Sequence, residues 1–410
     1  GQSIRENYCL GVSQSNHYRT ITGSQDNGTS IKNENTWIEF YGADGMEGII
    51  HPLNDDWMIG SLQFGGKRRT KDGGYNQDGV NPDDFSGDWV TPLMYDPNDQ
   101  MTIYTMTNIL YRSDDFGSTW NTLGDSFLEG NIQNAAIAEN SSAIAISNYN
   151  RLKISYDGGM TFTEISQSLP NQFITDIAFD PNNDDTIIVT YGTYGNNNQK
   201  VYLSENQGET WQNITYNLGN MPIRSVVIDH TDNSTIYLGA EIGVYKKSML
   251  EDSWELFNEN LPNTTVMELE VVYGSNTLRG TTWGRGVWEY SLADRENYPS
   301  IKTTGISNQP TDTQPKEGIE QFVTSTIDYE GNLNSVYVEW VTESSSEIIQ
   351  MSNSSENIWV SDSAIPNFEA GTKVFFKVFA ESSNGSLSET YKFMYEVREN
   401  ILCAPSMNCD

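Results

Sequence analysis

The sequence predicts an all-β protein, a β-propeller of about seven blades followed by a small β-sandwich, and three observations carry that prediction. Short runs rich in Thr, Val, Ile and Tyr alternate with turns built from Gly, Asn, Asp and Pro, and no segment sustains a helical period. One turn motif returns at a steady interval through the first 290 or so residues. Beyond them, a linker-like stretch gives way to a fresh set of alternating strands.

The motif reads RTKDGGY (69–75), RSDDFGSTW (112–120), ISYDGGMTF (154–162) and LSENQGETW (203–211), with KKSMLEDSW (246–254) as a decayed fifth copy. Its leading residues Thr70, Ser113, Ser155, Ser204 and Ser248 lie 43, 42, 49 and 44 positions apart, a length that suits four short strands per blade. VTPLMYDPNDQMTIYTM, ITDIAFDPNNDDTIIVTYG, IRSVVIDHTDNSTIYLG and EGIIHPLNDDWMIGSL each read strand, polar turn, strand. NAAIAENSSAIAIS and YCLGVSQSNHYRTITG are weaker members, and VMELEVVYGSNTLRGTTWGRGVWEY brings the count to seven. That last unit has three clear strands, so either the N-terminal segment completes its blade or further blades precede it.

In the pattern S/T-x-D-x-G-x-T-W, the acid accepts backbone N–H bonds, the glycine takes positive φ, and Thr and Trp pack the resulting hairpin onto its blade. Asp72, Asp115, Gly117, Trp120, Asp157, Gly159, Gly208 and Trp211 are therefore read as structural. These residues resemble the Asp box, or BNR repeat, of sialidases, sortilin-type receptors and xyloglucanase-type glycoside hydrolases. With GSQDNGT (23–29), GADGMEGIIHP (42–52) and TTWGRGVWE (281–289), the region is similar to the sortilin-like or xyloglucanase-like exported propellers of Bacteroidetes-type bacteria. The resemblance implies a scaffold that serves both enzymes and receptors.

The propeller is expected over 1–293 and a linker over 294–319, where Thr, Asn, Gln, Pro and Lys dominate. Residues 320–399 hold FVTSTIDY, SVYVEWVT, NIWVSDSAI, TKVFFKVFAE and YKFMYEVRE, the strands of a β-sandwich. It resembles fibronectin- or immunoglobulin-like modules, which implies a spacer. Residues 400–410 read as the start of a further Cys-containing segment, in which Cys403 and Cys409 are close enough in sequence to pair in an oxidising compartment.

The balance of 56 acidic against 23 basic residues gives a net charge of -33, which repels nucleic acid and anionic lipid. No apolar run approaches membrane-spanning length, so no membrane insertion is expected, and GQSIREN does not read as a signal peptide. The chain reads as a processed piece of a larger exported protein, secreted or at the cell surface. His17, His51 and His230 fall in turns of different blades, and there is no phosphate loop or calcium loop, so neither a metal nor a cofactor is expected.

If the first strand of each blade runs innermost, the connections between blades share one face with the turns between second and third strands. That face gathers Gln25, Asp26, Asn27, Asp44, Gln63, Phe64, Trp283 and Arg285, to which the loop TYGTYGNNNQ adds Tyr191 and Tyr194. Carboxylates beside aromatic faces that stack on pyranose rings and amides that bond hydroxyls make a sugar-like site, and the expected partner is a glycan or an extracellular peptide or protein. The alternative is a glycoside hydrolase, for which Asp26 and Asp44 are the available carboxylate pair. The xyloglucanase-type resemblance implies catalytic acids on two separate propellers, and one propeller is visible. Sialidases need an arginine triad, and Arg285 is the one arginine that lines this face convincingly.

Overall fold

The computed structural model describes residues 4–124, 129–195, 198–231, 234–292, 297–307 and 314–400. Cys403 and Cys409, and the segment expected from 401 onward, lie outside the described residues.

Each repeat folds into its own antiparallel sheet, with the first strand innermost. The seven inner strands are Asn7–Val12, Gly45–Ile50, Leu93–Asp96, Asn134–Ile137, Ile174–Asp180, Ile223–Ile228 and Val266–Val272. Each packs beside the next and the last packs beside the first, which closes a seven-bladed ring. Six blades have four strands; the seventh has three among the described residues.

The recurrent hairpins join third to fourth strands as their chemistry predicts. Ser113 Oγ donates to Asp115 Oδ1 at 2.8 Å and accepts the Gly117 N–H at 2.8 Å, while Asp115 accepts the Thr119 N–H and hydroxyl at 2.8 and 2.7 Å. Ser155, Asp157, Gly159 and Thr161 repeat this network, and Asn206 takes the acid's place in the next copy. Gly159 has φ +91°, and a Cβ there would lie 2.4 Å from Leu110 Cδ2 of the preceding blade, so glycine is needed for both turn and packing. The tryptophans also reach that neighbour rather than their own blade: Trp120, Trp211 and Trp254 donate Nε1–H to the carbonyls of Val80, Ile165 and Ile214. The hairpins thus stitch consecutive blades together.

Ring closure uses different chemistry. The N-terminal strand is the innermost strand of blade 1, and residues 5 and 6 meet blade 7 at the Trp283–Gly284 turn rather than along its outer edge. Gln14 donates to Val271 O at 2.8 Å and accepts the Tyr273 N–H at 3.1 Å, like one rung of a strand. Buried Arg279 pairs with Glu289 at 2.8 Å and donates to the carbonyls of His17 and Arg19 and to Thr20 Oγ1. This arginine seals the ring.

A second sheet of eight strands follows. Its first strand, Ser300–Ile306, lies inside the stretch expected to be linker and pairs with Val323–Asp328. Thr, Ile and Lys alternate there well enough to make a strand, and the Pro- and Asn-rich flanks hide it. Leu333–Val341, Ile358–Ser361, Lys373–Ser382, Leu387–Glu389 and Phe393–Glu396 complete the sheet around Ser346–Ser355. That long strand pairs first with Leu333–Val341 and then with Ile358–Ser361, bending the sheet into a nearly closed shape consistent with a β-sandwich.

This sheet is docked onto the propeller, contrary to the expected spacer. It covers the face that carries the turns between first and second strands. Gln100 donates to Lys392 O at 2.7 Å and accepts the Met394 N–H, Lys373 pairs with Asp99 at 2.8 Å, and Asn276 donates to Ser388 Oγ at 3.0 Å. Tyr273 and Leu278 of blade 7 share one apolar core with Val336, Phe376 and Tyr391 of the second sheet.

Candidate functional site

The inner strands of blades 1, 5, 6 and 7 each skip one residue in their pairing, at Tyr8, Thr175, Arg224 and Met267, and blade 2 skips residues 46 and 47. A bulge re-aims the side chains beside it. Here it places Cys9, Glu47, Asp176 and Glu268 at one level around the propeller axis. Cys9 Sγ donates to Glu47 Oε1 at 3.1 Å, Glu268 accepts the Leu10 N–H, and Asp176 accepts the N–H groups of Val226 and Ile177, each at 2.8 Å. Glu270, two residues beyond Glu268, faces the same channel because a strand repeats its facing every second residue.

Two cavities join at this level. The outer one, about 330 Å³, opens toward the blade-connection face between Tyr8, Trp89, Phe173, Arg224 and Met267. The inner one, about 350 Å³, runs past Glu270 to a floor made by Glu139, Tyr273 and Tyr391. Tyr391 belongs to the second sheet, whose ring lies 5.3 Å from that of Tyr273. The docked domain therefore turns a through-channel into a well.

Enclosure governs the acids. Burial, partly offset by the Cys9 hydrogen bond, pushes the Glu47 carboxyl up to about 7, and burial against the two N–H donors pushes Asp176 up to about 7. Burial and the neighbouring Glu47, Asp176 and Glu139 raise Glu270 to about 8, and burial with Glu47 and Glu270 holds Glu268 well above the carboxylate range. Burial, then Glu47 and Glu268, likewise raises the Cys9 thiol, so it stays protonated and donates. Thiol and carboxylate atoms of Cys9, Glu47 and Glu268 lie within 4.8 Å of one another.

Most of the expected rim is brought together around the mouth. Tyr8 OH donates to Gln25 Oε1 at 2.9 Å and its ring meets Trp283 edge-on at 5.2 Å. The Asp26 N–H donates to Asp44 Oδ1 at 2.7 Å, and the Gln63 N–H to Asp44 O at 3.3 Å. Asp44 thus braces the Asp26–Asn27 turn. Phe64 is held at φ +61°, 52 % exposed, with its ring edge-on to Trp89 at 5.4 Å. Left-handed backbone at a bulky residue is strained, and here it presents an aromatic to solvent. Arg285 donates to the Gly284 carbonyl.

Two expected residues stand apart. Tyr191 is 0 % exposed with its ring against Tyr202, so it is core and unavailable to a ligand; it ends the apolar run TIIVTY. Tyr194 is 66 % exposed on the blade 5 loop, away from this arc. The channel carboxylates were missed altogether. Their signal was an acid early in an otherwise apolar inner strand, in GMEGII, ITDIAFD and VMELEVV.

Residues 108–241 match the Sortilin-Vps10 family model, described as sortilin, neurotensin receptor 3. No curated protein matches. Among solved structures, YCF48 from Cyanidioschyzon merolae is similar at 12 % identity with a TM-score of 0.54, over 70 % of this chain and 96 % of that one. A structure titled YCF48 bound to D1 peptide gives 13 % identity and a TM-score of 0.54 over 71 % and 93 %. At such identities the likeness is one of fold.

Proposed function

We propose that this propeller binds a peptide at the blade-connection mouth of its central well. The observation that carries the proposal is the well itself, floored by the second domain and collared by Tyr8, Trp89 and Phe173. Concave sites with aromatic walls and a few convergent polar groups are the usual form of a ligand pocket. The partial match to a sortilin family model and the peptide complex of a protein with this fold support a peptide over a glycan.

A random peptide library and a glycan array, both screened against the full chain, test this. Peptides should be retained and Trp89→Ala should weaken them at least tenfold, the scale of an aromatic hot spot of about 2 kcal/mol. Tyr194→Ala should leave affinity within about twofold, because it stands apart from the mouth. Glycan binding without peptide binding, or peptide binding indifferent to Trp89, would overturn the proposal.

A further inference from the structure

The proposed peptide site has a chemical preference written into its walls. We infer that the well anchors its peptide through a primary ammonium, from a lysine side chain or a free amino terminus, seated among Glu47, Asp176, Glu268 and Glu270. The inference rests on the peptide reading and adds the chemistry of the anchor.

Three observations carry it. First, among the described residues none of the four carboxylates pairs with lysine or arginine, and Glu270 meets no hydrogen-bond donor at all. Arg224, the one cationic residue at the collar, is held by Glu241 at 3.1 Å. Four half-buried acids crowded into one channel without counter-charge disfavour one another's charge, so a cation entering the well supplies what the protein lacks. Second, the approach to the acids passes Tyr8, Trp89 and Phe173, whose ring faces attract a cation and whose bodies suit an aliphatic stem. Third, the acids reach the well from three blades, Glu47 from the second, Asp176 from the fifth and Glu268 with Glu270 from the seventh. Asp176 commits both oxygens, and Glu268 and Glu47 one each, to protein donors, so Glu270 alone keeps a flat oxygen pair open and the other free acceptors are scattered around the well. An ammonium, with three donors spread in space, matches scattered acceptors better.

The test uses pentapeptide libraries with randomised flanks around a central lysine, acetyl-lysine, norleucine or arginine, together with zinc and calcium chloride, titrated into the full chain at constant ionic strength. The lysine library should bind at least tenfold tighter than the acetyl-lysine and norleucine libraries, and Glu270→Gln should remove most of that preference. Melting temperatures of the variant establish that it is folded, and Asp176→Asn serves as a second variant at the same level. Equal binding of lysine and acetyl-lysine libraries overturns the ammonium anchor and leaves the peptide reading standing. Failure of every library overturns both. A preference for arginine, or metal binding at Cys9, Glu47 and Glu268 that lysine peptides do not displace, also overturns the anchor.

Discussion

The hairpin aspartates and the channel carboxylates are one functional group held in opposite states, and the contrast separates scaffold from site. Asp157 is drawn down to about 2 by the Thr161 hydroxyl and N–H and by Ser155. Partial burial pushes Asp115 up, but the Thr119 and Ser113 donors win and hold it below its ordinary range. In the channel, burial outweighs the donors present, and Glu47, Asp176, Glu268 and Glu270 are all raised. A carboxylate with its acceptor sites filled is part of the framework. One with open sites is available to a ligand. The motif that repeats conspicuously is therefore structural, and the acids proposed to carry binding lie within otherwise apolar inner strands.

The sharpest way to break the contrast is on the scaffold side. Trp254 is 3 % exposed and bonded at 2.8 Å to Ile214 O across a blade boundary. Trp254→Ala should cost about 3–5 kcal/mol through cavity and lost transfer energy, read as a fall in the urea midpoint. Stability within about 1 kcal/mol of the parent would mean that the hairpin tryptophans do not staple blades.

Asp115→Ala comes next. It leaves the Thr119 N–H and the Ser113 and Thr119 hydroxyls without their acceptor, at a cost of about 1–3 kcal/mol. Peptide affinity should be unchanged, since the hairpin lies on the face opposite the mouth. Ser118, at a position the motif leaves open, accepts Arg69 Nη1–H at 2.7 Å, so Ser118→Ala should cost about 0.5–1 kcal/mol. A stable Asp115→Ala protein that no longer binds peptide would reverse the assignment of faces.

The channel side should respond with the opposite sign. A carboxyl whose folded value is raised favours folding most at low pH and loses that contribution as pH climbs through the folded value. Since these carboxyls titrate near 4 when unfolded, and Glu47 and Asp176 near 7 and Glu270 near 8 when folded, that loss spans about pH 4.5 to 8. Below 6.5, His17 and His51, both lowered to about 3 chiefly by burial, act the other way, because the unfolded chain takes up protons that the folded one refuses. The four channel acids outnumber the two histidines where the windows overlap, so the melting temperature should decline from about pH 4.5 to pH 8. Glu270→Gln should raise stability at pH 8 by about 1–2 kcal/mol and flatten that decline. A flat profile in the parent would show that channel water already satisfies these acids.

Legibility in the sequence followed the range of the interactions. The hairpins were readable because Ser113, Asp115, Gly117 and Thr119 satisfy one another within seven residues. The blade count followed from their spacing. Cys9, Glu47, Asp176 and Glu268 come from four blades and meet only when the ring closes, with bulges setting their level, so no local pattern joins them. The docking of the second domain was likewise hidden: its contacts at Gln100 and Lys373 are made by residues that read as ordinary solvated turn and strand positions.

The smallest effect concerns the acid pair that the sequence offered for hydrolysis. Asp44 Oδ1 accepts the Asp26 N–H at 2.7 Å on the exposed rim, and an asparagine there keeps an oxygen in reach of the same donor. Asp44→Asn should shift stability by no more than about 0.5 kcal/mol, the scale of an exposed turn cap, and leave peptide affinity untouched. Asp44→Ala, which removes the acceptor, should cost about 1 kcal/mol. Reducing-sugar release from β-glucans is the measurement that bears on chemistry rather than on folding. The bracing role predicts that parent and Asp44→Asn release equally little. Hydrolysis in the parent that disappears in Asp44→Asn would place a reacting carboxylate on the rim, among the acids whose sites are filled, and the rule that separates scaffold acids from site acids would fail where it is easiest to check.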